Sequence, residues 1–298
     1  MDKYSKIKLV AKRYVLFGVI IMAIIVVLLA VYLIKIFTTG NIIYEEIDRS
    51  ASNVSENEAA NSTPIILNNI VIGGVYNGKF VDSLKYYQYS NFKDGIEVDV
   101  FNSRGKNGTF NVEKIYSSGT KYDTVYAEII KNDYISEYYA VAKDSVNLNL
   151  PSKIELTQEQ EKDYIKLAKK ALAEHNYMNN TMKIQAAYNV SLTFKDKYTL
   201  LFVTNESKAN KGVYSAIVAV SILGEAKCIK YNYYKDVNDA ADFGIYSFKF
   251  VGDLNGDDVS ELIVQSTQEF TSTYYVLQLK DNKFYEILRS TILIENKK

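Results

Sequence analysis

The sequence predicts one N-terminal transmembrane helix, then a β-rich module and an α+β domain of mostly antiparallel strands. Three observations carry this. Val15 to Ile34 is a run of 20 residues without a charge. Beyond it, short alternating segments rich in Val, Ile and Tyr are separated by Asn-Gly and Asp-Gly steps. One stretch, near residue 160, changes to helical spacing.

The first element is the apolar run, YVLFGVIIMAIIVVLLAVYLIKIF over residues 14–37. At about 1.5 Å rise per residue, about 20 residues cross a hydrocarbon core of about 30 Å. No polar face interrupts it, and Tyr14, Tyr32 and Lys35 suit the water interface. Lys3, Lys6, Lys8, Lys12 and Arg13 precede the run against a single Asp2, so residues 1–13 read as a cytoplasmic basic tail. Glu45, Glu46, Asp48, Glu56 and Glu58 follow it. The positive-inside tendency then puts the N-terminus in the cytoplasm and the C-terminal mass outside the cell. A cleaved signal would have a shorter apolar region and a small-residue cleavage site; Ile34-Lys35-Ile36-Phe37 is a poor one.

Residues 38–63 are rich in Ser, Asn, Glu and Ala and read as a flexible stalk. From 64 to 150 the pattern is strand and turn, a small all-β module of about five to six strands. IILNNIVIGGVY leads through Asn77-Gly78 to KFVDSLKYYQY, with further steps at Asp94-Gly95, Arg104-Gly105 and Asn107-Gly108. Such steps supply the positive φ of tight hairpins. Gly73-Gly74 reads as a strand-end turn.

The α+β domain spans 151–298. Thr157 and Gln160 form a predicted capping box for a helix running to about Asn176. Tyr164, Leu167, Ala168, Ala171 and Leu172 give that helix one apolar face. Strands resume as KIQAAYNVSLTF, YTLLFVT, VYSAIVAVSIL, GIYSFKFVG, SELIVQST, TSTYYVLQL and KFYEILRSTILI. A helix with antiparallel strands indicates an α+β arrangement. In Tyr pairs such as Tyr86-Tyr87 and Tyr138-Tyr139, one ring is expected on the core and its neighbour outside.

Composition narrows the chemistry. Formal net charge is zero, and no basic, aromatic-interleaved stripe follows the tail, which argues against nucleic-acid binding. One cysteine, Cys228, cannot make an internal disulfide and reads as a small buried strand residue. One histidine, His175, falls at the predicted helix C-terminus, where a cation is favoured. With one His and one Cys, neither His-rich nor Cys₄ zinc sites assemble, and no Gly-x-Ser-x-Gly elbow accompanies His175 to suggest a triad. No catalytic constellation emerges.

One segment carries chemistry: Gly252-Asp253-Leu254-Asn255-Gly256-Asp257-Asp258-Val259-Ser260-Glu261. With Asp253 as position 1, oxygen side chains fall at positions 1, 3, 5 and 9, namely Asp253, Asn255, Asp257 and Glu261. The Val259 main-chain carbonyl would supply position 7. Alternate oxygens on a curled loop suit Ca²⁺, which takes about six to eight oxygens at about 2.3–2.6 Å. The pattern is not an EF-hand: position 12 is Val264, position 6 is Asp258 where glycine is usual, and a strand follows. The competing reading is an acidic hairpin, since Asn-Gly-Asp is also ordinary turn chemistry.

GDLNGDDVSELIV resembles the calcium loop of FG-GAP or integrin-α-type repeats, in which an Asp-rich loop joins two strands. The wider arrangement is similar to bacterial surface proteins with an anchor, a β-rich module with an Ile-Gly-Gly-Val-like start (Ile72 to Val75) and one such terminal loop. The resemblance implies a structural Ca²⁺ held by Asp253, Asn255, Asp257, Val259 and Glu261, and recognition of an extracellular protein or glycan. A single loop and no fixed-period repeat argue against a propeller. The expectation is therefore a single-pass, membrane-anchored extracellular binding or structural protein. A cell-envelope hydrolase using a carboxylate pair and an accessory subunit of a membrane complex stay open as alternatives.

Overall fold

The computed structural model describes residues 53–90, 95–102, 104–119, 124–129, 138–142, 151–173, 175, 182–205, 213–234 and 244–294. The apolar run at 14–37 and the tail at 1–13 lie outside these residues. Among the described residues, no helix is long and apolar enough to cross a membrane. Glu45–Lys298 forms one compact unit, and its sheets are antiparallel throughout.

The first sheet contains β1 (Thr63–Leu67), β2 (Ile70–Tyr76), β3 (Lys79–Asp82), β4 (Ile96–Asn102), β5 (Gly105–Ser117), β6 (Val125–Ile129) and β7 (Tyr139–Ala142). Their order is β1-β7-β4-β5-β6-β2-β3, and β1 also pairs with β2. That extra pairing closes six strands into a ring, leaving β3 as a flap beside β2. Closure removes the unpaired edges that an open sheet exposes. Residue alternation then sorts two cores. Ile66, Val71, Val98, Val100, Val112, Val125, Ala127 and Ala140 point into the ring. Ile65, Leu67, Ile70, Ile72, Phe101, Tyr139 and Val141 point away from it.

Several local features differ from the sequence reading. Asn68 and Asn69 both have positive φ, 47° and 67°, so IILNNIVIGGVY is a hairpin of two strands; Asn tolerates the left-handed region. Ser83–Tyr89 is a helix (α2), because the Asp82 side chain accepts the Lys85 N–H at 2.9 Å and caps its start. Asn107-Gly108 makes no turn but sits at a bulge within β5, opposite Val100 and Phe101. Gly73 and Gly74 are not a turn either. They lie inside β2, paired to Ile65 and Pro64. Residues 53–63, read as the end of a stalk, are folded: Glu56–Ala60 is a helix (α1) with a Ser55/Glu58 capping box, and Val54 and Ala59 are buried.

The helix α3 (Gln158–Ala171) begins at the expected capping box of Thr157 and Gln160. It ends at Ala171 with Leu172 as C-cap, short of Asn176, and His175 lies beyond it, its ring tilted 32° against Tyr231 with centroids 4.8 Å apart. The strands after it, with the short β8 that precedes it, form two sheets. One runs β12-β11-β10-β9-β8, with β8 (Ser152–Lys153), β9 (Met182–Ser191), β10 (Lys197–Asn205), β11 (Val213–Ser221) and β12 (Ala226–Tyr234). The other is β13 (Ile245–Gly252), β14 (Glu261–Thr267), β15 (Thr271–Lys280) and β16 (Lys283–Leu293), in chain order.

The terminal four-stranded sheet is shared. One of its faces, with Phe250, Ile263, Tyr274, Val276 and Leu288, packs on the outer face of the ring. The other, with Val251, Leu262, Val264 and Leu277, packs on Leu200, Phe202, Ile217 and Ala219 of the five-stranded sheet. The far face of that sheet is covered by α3 through Ala168 and Leu172. Residues 64–150 and 151–298 therefore share a core. Sandwiching also changes the Tyr pairs: Tyr86 is buried and Tyr87 exposed, but Tyr138, just before β7, and Tyr139, its first residue, are both buried, each in a different core. The Tyr139 hydroxyl has no hydrogen-bond partner, and burial raises its pKa. Tyr139→Phe is expected to stabilise the domain by about 1 kcal/mol, since it removes an unsatisfied buried donor; chemical denaturation measures it.

Candidate functional site

Loop 253–260 joins β13 to β14 at the edge where the three sheets meet. Its curl comes from its own sequence. Asp253, almost fully buried, accepts the backbone N–H of Gly256 at 2.7 Å and Asp257 at 3.2 Å on Oδ1, and that of Asp258 at 2.9 Å on Oδ2. Asp257 Oδ1 accepts the Val259 N–H at 2.9 Å, and Asn255 Oδ1 that of Asp257 at 3.3 Å. Gly256 and Asp258 take positive φ, 79° and 64°. Asp258 thus adopts the left-handed conformation that its position required.

Two contacts brace the loop from opposite sides. The Ser260 N–H donates to the Leu192 carbonyl in the β9–β10 hairpin at 2.7 Å. Asn255 Nδ2 donates to the Gly78 carbonyl in the β2–β3 hairpin at 3.0 Å. The Asn77-Gly78 turn, with φ 47° and 76°, is thereby a wall of the site.

Glu261, the first residue of β14, is fully buried. Its Oε2 accepts the Leu254 N–H at 2.8 Å, and its Oε1 accepts Gln278 Nε2 at 2.9 Å. Gln278 also donates to Asp257 Oδ2 at 3.2 Å, so one amide bridges two carboxylates. Desolvation raises the Glu261 pKa well above the usual carboxylate range, and repulsion from Asp257 and Asp253 adds to it against the Leu254 and Gln278 bonds. Gln278 was not singled out in the sequence. It lies on β15, away from the motif in sequence, and only strand pairing brings it to the loop.

Of the expected ligands, Asp253, Asn255, Asp257 and Glu261 are thus tied into one network, while Val259 contributes through its N–H. Among the described residues, no group of three or more acidic, histidine or cysteine side chains is gathered closely enough to hold an ion. The fit to a hard cation rests on donor chemistry. All donors are oxygen, each carboxylate has lone pairs beyond those its N–H partners use, and the buried Glu261 carboxylate feels the charges of Asp257 and Asp253.

Beside the loop lies an open groove of ≈ 440 Å³, lined by Gly78, Lys79, Phe80, Asn255, Asp257 and Gln278 among others. Among the described residues, Asp257 is the one carboxylate on its wall. Cys228 is half-buried on β12, with Sγ 3.4 Å from the Lys230 carbonyl. Compared with protein-family models, curated proteins and solved structures, the chain matches none, and the likeness to FG-GAP loops rests on residues 252–264 alone.

Proposed function

We propose that the chain is a single-pass, membrane-anchored extracellular binding or structural protein of a bacterial cell surface, stiffened by one Ca²⁺ in loop 253–261. The observation that carries the calcium reading is Glu261. A carboxylate with no exposure, repelled by the charges of Asp257 and Asp253, is costly to ionise, and a dication bound among these oxygens would offset both its desolvation and the mutual repulsion. Rotation of the Gln278 amide would turn its carbonyl oxygen toward the ion. The anchor rests on the apolar run at 14–37 and its basic flank. The groove beside the loop is the surface this reading assigns to an extracellular protein or glycan.

Calorimetry on Glu45–Lys298 tests the calcium reading. Millimolar Ca²⁺ is expected to raise the melting temperature of the parent, and not that of an Asp253→Ala, Asp257→Ala variant. At a hundred times Kd the gain is about 2.7 kcal/mol. In chelator, the raised Glu261 pKa sets the sign of the pH dependence. The native state holds a proton that the unfolded chain has released, so stability present at low pH is lost as pH rises from the ordinary carboxylate value through the raised one. Glu261→Gln should remove that slope and the calcium response together. A parent that responds neither to Ca²⁺ nor to pH in this range, after chelator treatment, overturns the reading and leaves an acidic turn.

A further inference from the structure

Phe194, Ile222 and Leu223 stand out among the apolar side chains, at 93%, 73% and 84% exposure. The sequence pattern extends strands through all three, but the structure places them in the β9–β10 and β11–β12 turns, where polar or glycine residues are the rule. Both turns lie at the same end of the five-stranded sheet, since Lys197 pairs with Ser191 and Tyr198 with Ser221. Two adjacent hairpins of one sheet are separated by two strand spacings, roughly 10 Å. The apolar tips therefore form one patch, with exposed Lys195 and Lys197 at its edge.

The first described elements, α1 and the start of β1, lie toward this same end. Lys79, next to the Gly78 carbonyl that meets Asn255, pairs with Glu58 of α1 at 2.6 Å. Thr63, which opens β1, pairs with Val75 near the β2–β3 turn. Loop 253–260 and the Ser260 to Leu192 bond tie that turn's neighbourhood to the β9–β10 hairpin. In sequence, residues 38–52 lie between the apolar run and the first described residue.

We propose that this end is a second membrane contact: Phe194, Ile222 and Leu223 insert into the outer leaflet of the bilayer that the N-terminal run anchors. The proposal rests on the anchor reading above. Apolar tips flanked by lysines suit the interface, where the side chains reach the acyl boundary and the ammonium groups stay at headgroup level. Asp196 and Glu225 in the same turns roughly balance Lys195, Lys197 and Lys227, so apolar insertion, more than attraction to anionic lipid, drives the contact.

The chain contains no Trp, so single Trp substitutions report without background. Full-length Phe194→Trp, Leu223→Trp and, at the opposite end of the terminal sheet, Phe270→Trp are reconstituted into phosphatidylcholine vesicles with brominated acyl chains, with and without phosphatidylglycerol. Trp at 194 and 223 should be quenched at least twofold with both lipid compositions, and Trp at 270 should stay unquenched. Equal emission at the three positions, as a protein partner or free tips would give, overturns the proposal. Alkaline extraction of the same vesicles reads the anchor separately. If the chain is extracted, the anchor reading fails, and quenching of the soluble chain mixed with those vesicles still decides whether the tips insert. Unchanged melting temperatures of the exposed-site variants confirm their fold.

Discussion

Glu286→Gln is expected to destabilise the domain by about 3–5 kcal/mol, the cost of breaking a buried ion pair from one side. Glu286 on β16 is 5% exposed and Lys230 on β12 is 2% exposed, and the two form an ion pair across the interface between the terminal and five-stranded sheets. Arg289 completes the cluster, with Nε 2.7 Å from Oε1 and Nη2 3.0 Å from Oε2 of Glu286. Both cations lie over the Tyr275 ring, Lys230 Nζ at 4.1 Å and Arg289 Cζ at 5.1 Å from its centroid. Glutamine keeps the shape but removes the negative charge that Lys230 and Arg289 both contact. Burial by itself pushes the Glu286 pKa up, but the Arg289 bonds and the Lys230 charge outweigh it and hold the carboxyl below the ordinary value. The stabilisation is therefore present above the unfolded carboxylate value and lost as pH falls through the depressed one. Urea denaturation at pH 7 measures the loss. Lys230→Met with Glu286→Leu should recover most of it, because a matched apolar pair carries no desolvation cost. A Glu286→Gln variant within about 0.5 kcal/mol of the parent, the range of an ordinary surface substitution, would mean that the cluster is hydrated.

Gly73→Ala is the second large effect, expected at about 1–3 kcal/mol, as for an overpacked core. A Cβ at Gly73 would come 2.6 Å from Leu288 Cδ1 and 2.7 Å from the Val81 carbonyl oxygen. The Leu288 side chain can turn aside, but the Val81 carbonyl is held by the pairing of β2 with β3. The strain thus falls where the ring meets the terminal sheet. Adding Leu288→Ala should relieve part of it, so the two substitutions are expected to be non-additive. Full additivity in denaturant titrations would show that β2 shifts as a unit and that the close approach of β16 is not what demands glycine. Gly74 faces the opposite way, its missing Cβ 2.8 Å from Tyr86 Cδ2, so the adjacent glycines serve two different cores.

Local chemistry carried a good part of this architecture. The capping box at Thr157 and Gln160, the Asn77-Gly78 hairpin, the positive φ at Asp258 and the alternation of the strands each depend on a few neighbouring residues, so a short window was enough to read them. The β-rich, antiparallel character followed from composition and period for the same reason. Helix α2 escaped because its Asp82 cap sits in a run of aromatics that also reads as a strand. Phe194, Ile222 and Leu223 escaped because apolar residues continue a strand pattern into a turn without a break.

What the assembled sheets decided is non-local. Ring closure depends on β1 meeting both β2 and β7. That the terminal sheet is buried on both faces depends on two other sheets claiming it, and no pattern within β13–β16 distinguishes that from one solvated face. Gln278 joins the acidic loop, and Lys230 finds Glu286, only through pairings of strands far apart in sequence. The loop's oxygens were visible in thirteen consecutive residues, because its spacing is local. The burial of Glu261, which sets the charge it can carry, belongs to the packing of three sheets around it, because desolvation depends on everything within reach and not on sequence neighbours.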